Sequence, residues 1–342
     1  MSPGGRFSLW QVGIGLLVLL GGAVVVGLGT GPVAIPAERV AALLLGGGEN
    51  GDEQVIEAFI VRDLRLPRVL LAILVGALLS QCGAVMQGFF QNPMADPYII
   101  GVSSGAALGA TIALTFLGGT MLAGLHAVSL CAFLGALGVT FLVYTISLRG
   151  GRLPTALVLL TGVAVSALGT GLTSFILIST QSDLKRILYW LMGGLANRGW
   201  DHLSLIAPYA LVGMGLVLFF ARDLNILLQG EENAQYMGVD VERVKRILLA
   251  LSALLAGLAV AVSGLIGFVG LVVPHVMRLL VGPDHRILLP ASMVGGAILL
   301  VWADTLARWL IAPAEIPIGI ITSLVGVPFF LFLLSRRRDL EL

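Results

Sequence analysis

Between positions 66 and 89 the chain carries a single charge, Arg68. Comparable apolar runs recur along its length, and several reach the ~20 residues that cross a bilayer core as a helix. They are too long and too evenly apolar to be the alternating strands of a membrane barrel. Ten spans can be drawn, at 7–29, 66–89, 97–117, 121–148, 154–179, 201–221, 247–267, 269–281, 287–310 and 316–334. The eighth is short and holds Pro274, so it reads as a complete, partial or re-entrant helix. Charged residues make up 11% of the chain, against roughly 25% in soluble domains. The fold class is therefore an all-α polytopic membrane protein of about ten transmembrane helices, with residues 1–342 as one transmembrane domain. The 45 glycines suit helices whose backbones approach closely. The first run follows Arg6 and exceeds the about 7–15 residues of a signal-peptide core, so it is expected to stay as an uncleaved span.

Orientation comes from the basic residues. Arg6, Arg149, Arg152, Arg222, Arg243, Lys245, Arg246, Arg278, Arg286, Arg336, Arg337 and Arg338 fall on one side of such a bundle. The smaller set, Arg39, Arg62, Arg65, Arg68, Lys185, Arg186, Arg198 and Arg308, falls on the other. The positive-inside rule puts both termini in the cytoplasm, and the outer arginines then need a reason to be there. Each half has a Gly-rich approach to a Pro-containing turn, Gly83 to Pro93 and Gly264 to Pro274. Transporters often use such pairs in inverted repeats.

The chain carries no engine of its own. A nucleotide-binding P-loop needs a lysine directly after glycine, and the lysines here, Lys185 and Lys245, follow Leu184 and Val244. No zinc-protease motif and no nucleophile elbow is present, so an intramembrane enzyme lacks a catalytic constellation. His126, His202, His275 and His285 are scattered, and Cys82 and Cys131 fall inside apolar spans as small hydrophobes. No cofactor and no metal site is expected. If the protein pumps, another subunit supplies the energy. A secondary transporter or channel is the alternative, but ion coupling usually needs ionisable residues inside the membrane. Only Asp304, near a span end, is a candidate.

Several polar strings punctuate the spans. Arg65-Leu66-Pro67-Arg68 precedes the second, and Asn92-Pro93-Met94-Ala95-Asp96-Pro97 separates the second from the third, which opens Gly101-Val102-Ser103-Ser104-Gly105. Prolines 93 and 97 interrupt helix, while Asn92 and Asp96 bond their own backbone in turns. Segment 222–246 is the longest polar stretch on the inner side, and within it 230–238 reads as a short helix between glycines, with Glu231 and Glu232 at its positive end. Further on come Ser263 to His275, Gly282-Pro283-Asp284-His285-Arg286, Ala303-Asp304-Thr305-Leu306-Ala307-Arg308 and Ala314-Glu315-Ile316-Pro317-Ile318-Gly319.

These strings, in this order across about 64–334, closely resemble the permease subunits of ABC importers for vitamin B12, haem and iron-siderophores. The resemblance implies a channel made by two copies of the permease, two ATPase subunits bound inside, and a periplasmic or lipid-anchored binding protein that delivers cargo outside. It implies a cargo that is an iron complex (ferric siderophore or haem) or cobalamin, and residence in the cell inner membrane. By motif match, Arg65, Arg68 and Arg308 resemble arginines that dock the binding protein, with interfacial snorkelling or pairing to Asp63 and Asp304 as the simpler reading. Asn92, Met94, Thr155 and Ala156 match the inner constriction of the pore. Gly230, Glu231, Glu232, Ala234 and Gly238 match the helix that couples to the ATPase. The fifth span adds a stripe from its own residues. Thr155, Gly162, Ser166, Thr170 and Thr173 share one helical face, which either lines a water-filled route or forms a tight seam. Segment 182–198, with Trp190 and Trp200 at hand, is amphipathic enough to lie at the outer interface.

Overall fold

The structure, a computed structural model, describes residues 8–47, 52–118, 120–122, 125–180 and 184–338. Its helices are α1 (Leu9–Gly29), α2 (Ala37–Leu44), α3 (Asp52–Phe59), α4 (Leu66–Phe89), α5 (Val102–Ile112), α6 (Ala127–Ser147), α7 (Thr155–Ser179), α8 (Leu184–Leu191), α9 (Trp200–Phe219), α10 (Ala221–Leu227), α11 (Glu231–Tyr236), α12 (Val241–Ser263), α13 (Val269–Val281), α14 (His285–Trp309) and α15 (Ile318–Arg338). Among the described residues, seven helices are long and apolar enough to cross a membrane, and three shorter apolar ones accompany them. All ten expected spans correspond to one of these. The fourth starts later than expected, because Met121–Leu122 and Leu125–His126 pair as two short antiparallel strands ahead of α6. The seventh starts earlier, because Asp240 caps α12 by accepting from the Arg243 N–H.

The basic residues predict the end bearing α11 to be cytoplasmic, and that end is called inner on this expectation. α4 forms the centre of the bundle: from Leu71 to Phe89 every residue except Ile73 is buried. It continues outward through a π-helical stretch, Ile60–Arg65, into α3. The α4–α14 contact is backbone against backbone, since a Cβ on Gly76 would stand 2.2 Å from the Gly296 carbonyl oxygen. The same tight fit joins α5 to α6, where a Cβ on Gly109 would meet the Cys131 oxygen at 2.0 Å. Small residues thus replace the hydrophobic effect, which lipid removes as a force between helices.

Two irregular stretches interrupt the bundle from opposite ends. After α4 the chain turns at the inner end, forms a 3-10 turn at Pro97–Ile100 and enters α5. After α12 it turns at the outer end and runs through 264–268 into α13, the complete helical part of the eighth span. The two stretches meet: the Tyr98 hydroxyl donates to the Ile266 carbonyl at 3.0 Å and receives the Ile266 N–H at 3.3 Å. Each supplies the other with partners that lipid could not give. The two glycine approaches read from the sequence lie side by side here, as a Cβ on Gly83 would overlap the Gly270 carbonyl.

We expect Gly76→Val to cost about 3 kcal/mol, the upper range for overpacking a filled interior. Gly21→Ala, in open space on α1, should be neutral or slightly stabilising. Unfolding of the purified protein in detergent measures both, and equal stability of the two variants would contradict the packing described.

Candidate functional site

The inner end is organised around α10 and α11. Gly230 and Gly238 bracket α11 with φ of 101° and 83°, a region that side chains other than glycine's enter at a cost. Glu231 and Glu232 occupy the first turn, where the helix dipole favours them. Ala234 is fully buried beneath the helix, while Tyr236 is 89% exposed and Met237 more than half exposed at its far end. The five residues expected for coupling therefore form one small projecting unit. Tyr236 and Met237 were not singled out in the sequence. An aromatic and a methionine presented to water at the tip of a projecting helix are anchors of the kind protein interfaces favour.

This unit is fastened to the bundle by named bonds. Glu231 pairs with Lys245 of α12 at 2.9 Å, and Lys245, only 2% exposed, lies 5.8 Å from the centre of the Phe89 ring at the end of α4. On α10, Asn225 donates to Asp284 at 2.6 Å and accepts from the His285 N–H at 2.8 Å. Asp284 is held below the usual carboxylate range by the Arg286 backbone N–H that it caps, with the Asn225 amide helping.

The residues expected at the constriction lie at this same end. Asn92 is exposed and its side chain accepts from the Met94 N–H at 3.0 Å; Asp96 does the same for Tyr98 at 2.8 Å. Both turn formers act as read from the sequence. Thr155 opens α7 behind Pro154, with Ala156 exposed beside it. Farther along α7 the stripe divides. Gly162 lies where a Cβ would meet the Ile99 oxygen of the Pro97–Ile100 turn at 2.1 Å, Ser166 bonds Ser104 of α5 at 3.3 Å, and Thr173 is buried, so these three lie on the covered side of α7. Thr170 is exposed, together with Ala156, Val163, Ala167, Gly171 and Ser174.

At the outer end Arg65, Arg68 and Arg308 lie together, but not as the exposed arginines the sequence suggested. Arg65 is 6% and Arg308 4% exposed. Arg65 donates to the carbonyls of Leu28 (2.7 Å) and Val33, and Arg308 to those of Gly27 and Thr30, both at 2.8 Å. The physical reason is the carboxyl end of α1, whose last carbonyls have no partner within the helix. Asp304, 1% exposed, bonds both Arg68 (2.9 Å) and Arg308 (3.1 Å). Glu315 takes the other side of the Arg68 fork in a bidentate pair at 2.9 Å. The pairing with Asp304 was foreseen; Glu315, within a recognised string, was not assigned a role. Arg65, Arg68, Arg308 and Glu315 all line a cavity of about 770 Å³ at this end.

A multi-span helical bundle with a projecting inner helix and no nucleotide-binding motif defines a class: the membrane subunit of a transporter whose energy enters through a partner. Residues 16–336 match the model of the FecCD transport family, and the chain belongs to that family. It is 50% identical over 278 residues to the cobalamin import system permease protein BtuC of Halobacterium salinarum, spanning 81% of this chain and 74% of that one. It is 48% identical to the hemin transport system permease protein HmuU of Yersinia pestis, spanning 81% and 83%. A solved structure described as an inward-facing metal-chelate type ABC transporter matches with a TM-score of 0.81 and 33% identity, over 94% of this chain and 98% of that one. The chain is thus a permease subunit of an ABC importer, not an enzyme. It works with a separate ATPase and a substrate-binding protein.

Asp304→Ala should cost about 3–5 kcal/mol, because it leaves two buried guanidiniums without their shared carboxylate. Asp304→Asn, which keeps an acceptor, should cost less. Denaturation in detergent reads both, and wild-type stability for the alanine variant would remove Asp304 from its central place.

Proposed function

We propose that this permease imports an iron complex (ferric siderophore or haem) or cobalamin through a route formed between two copies of the chain. The names of its relatives support that cargo class. The observation that carries the route is α7. Only 17% of its apolar window is buried within one protomer, and its uncovered face is uncharged, with the small or hydroxyl residues Ala156, Ala167, Thr170 and Ser174 set among exposed Leu160, Val163 and Ile178. A wide passage for a rigid chelate needs such a lining and cannot expose it to lipid. A two-fold homodimer encloses it. Ser166, bonded to Ser104 of α5, and buried Thr173 back this wall rather than lining it, and Asn92, Met94, Thr155 and Ala156 form its inner constriction. In this reading the complex sits in the cell inner membrane with both termini cytoplasmic, two ATPases below and a periplasmic or lipid-anchored binding protein above. α11 meets the ATPase through Glu232, Tyr236 and Met237, on the frame set by Gly230, Glu231, Ala234 and Gly238. Of the expected docking arginines, Arg68 is the least buried and meets an acidic side chain of the binding protein at the outer cavity, while Arg65 and Arg308 hold the end of α1 beneath it.

Two outcomes test this reading. Cysteines replacing Ala167, Thr170 and Ser174, on a background lacking Cys82 and Cys131, should react quickly with a membrane-impermeant thiol reagent. Cysteines at Ser166 and Thr173 should react slowly. Labelling of the first group only by lipid-soluble reagents would place that face against lipid. At the outer end, Arg68→Glu should weaken capture of the binding protein and flatten its salt dependence, because charge pairs of this kind set on-rate and are screened. A pulldown with unchanged affinity and unchanged salt response would end the docking role.

A further inference from the structure

The coupling segment touches both inner turns through one side-chain hydrogen bond each. On its upstream flank, the last carbonyl of α10, Leu227, accepts from the Gln91 amide at 2.8 Å. Gln91 immediately precedes Asn92. On its downstream flank, the Glu242 carboxylate in the first turn of α12 accepts from the Leu153 N–H at 2.7 Å. Leu153 is fully buried and stands just before Pro154 and Thr155. Leu227 and Glu242 bracket α11 in the chain, and of the turns they hold one contains Met94 and the other leads directly into Thr155.

The first bond has a second peculiarity. Gln91 adopts a left-handed backbone, with φ of 48°, which is uncommon outside glycine and asparagine and persists when the surroundings over-determine it. Its side chain is the group that fixes this residue to α10. Glu242 is similarly constrained, since a buried backbone N–H without an acceptor is costly.

We propose that the Gln91–Leu227 and Glu242–Leu153 bonds are the two links by which movement of α11 moves the inner turns, one link for each turn. Gln91 and Glu242 are positioning residues: neither touches cargo, and each fastens a turn to the segment that the ATPase moves. The proposal rests on the ATP-driven importer reading above. Lys245 belongs to the same frame, tying Glu231 to the Phe89 end of α4, but it reaches neither turn directly.

The test uses the full complex of this permease with its ATPase in proteoliposomes, and needs no cargo. On the background lacking Cys82 and Cys131, a Met94→Cys or a Thr155→Cys reporter is labelled with a membrane-impermeant maleimide, with and without ATP. With both links intact, labelling of each reporter changes with ATP. Gln91→Gly should shrink the response of the Met94→Cys reporter about fivefold or more, the scale of one hydrogen bond, and spare the Thr155→Cys reporter. Glu242→Ala should do the reverse. ATP hydrolysis should stay within about twofold, as for a change that leaves the fold intact.

Glycine is chosen at position 91 because it prefers the left-handed backbone. If Gln91 served only the shape of the turn, Gln91→Gly would leave the response unchanged, and that result overturns its link. Glu242→Gln keeps an acceptor oxygen for Leu153 and should restore the response that Glu242→Ala loses. Where Glu242→Ala lowers the yield of assembled complex, Gln91→Gly and Glu242→Gln carry the test. Loss of labelling response and hydrolysis together, in step with lost assembly, would mark both residues as merely structural and overturn the proposal. Either substitution silencing both reporters while hydrolysis continues would overturn the assignment of one link to each turn. If the complex with both links intact shows no ATP response at either reporter, the importer reading fails beneath it.

Discussion

Helices that end inside or beside hydrocarbon leave carbonyl groups that water cannot reach, and this structure meets the deficit with guanidinium groups. Arg65 and Arg308 bind the last carbonyls of α1, Arg62 binds the Leu43 carbonyl at the end of α2, and Arg198 binds the Val262 carbonyl at the end of α12 at 2.8 Å. Each of these places a positive charge at the negative end of a helix dipole. That answers why so many basic residues lie on the outer side against the usual bias. They are consumed by helix ends, with Arg68 taken by Asp304 and Glu315 and Arg39 by Glu57 at 2.9 Å. Without these bonds α1 and the outer loops would have little to hold them, since lipid supplies no hydrophobic drive between helices.

The same constraint governs the two irregular stretches. A chain that leaves helical geometry within the bundle exposes N–H and C=O groups, and here the stretches are set against one another and against α4. Tyr98 supplies both a donor and an acceptor to Ile266, a role available to a phenol and not to phenylalanine. The result is a rigid middle with two ends of different character. The outer end is a cage of charge-assisted bonds around Asp304. The inner end is held by the ion pair of Glu231 with Lys245 and by hydrogen bonds between short elements, a looser attachment suited to parts that shift relative to one another.

Most of the helical layout was legible in the sequence, because a bilayer demands long apolar runs and charges or prolines must mark their ends. The limits of α4 and α13 agree with the spans read at 66–89 and 269–281, where Pro67, the Asn92 turn, Gly264 to Phe268 and Gly282 bound them. The fourth and seventh spans were misjudged because hydropathy cannot tell the apolar strand pair of Met121–Leu122 and Leu125–His126 from helix, nor see that the polar segment Val241 to Arg246 continues α12 inward. The small-residue stripe on α7 was visible, but its division between a face toward α5 and an open face depends on where α5 packs. The burial of Arg65 and Arg308 was not legible either. Their partners are backbone carbonyls far away in sequence, and carbonyls leave no mark on composition. Gln91, Glu242 and Lys245 were overlooked for a related reason, since each is an ordinary polar residue until the fold brings its partner near.

The seating of α1 carries a consequence for how the molecule is made. Its apolar window is only 17% buried, and its carboxyl end is held by Arg308, 281 residues downstream of Gly27. Chains emerge from the ribosome amino end first, so Arg65 is at hand early for the Leu28 carbonyl, whereas the Gly27 and Thr30 carbonyls wait for Arg308. Until α14 arrives, that part of the helix end faces headgroup water. Its final attachment coincides with the arrival of α14. A helix inserted early is thereby completed only by a residue made much later.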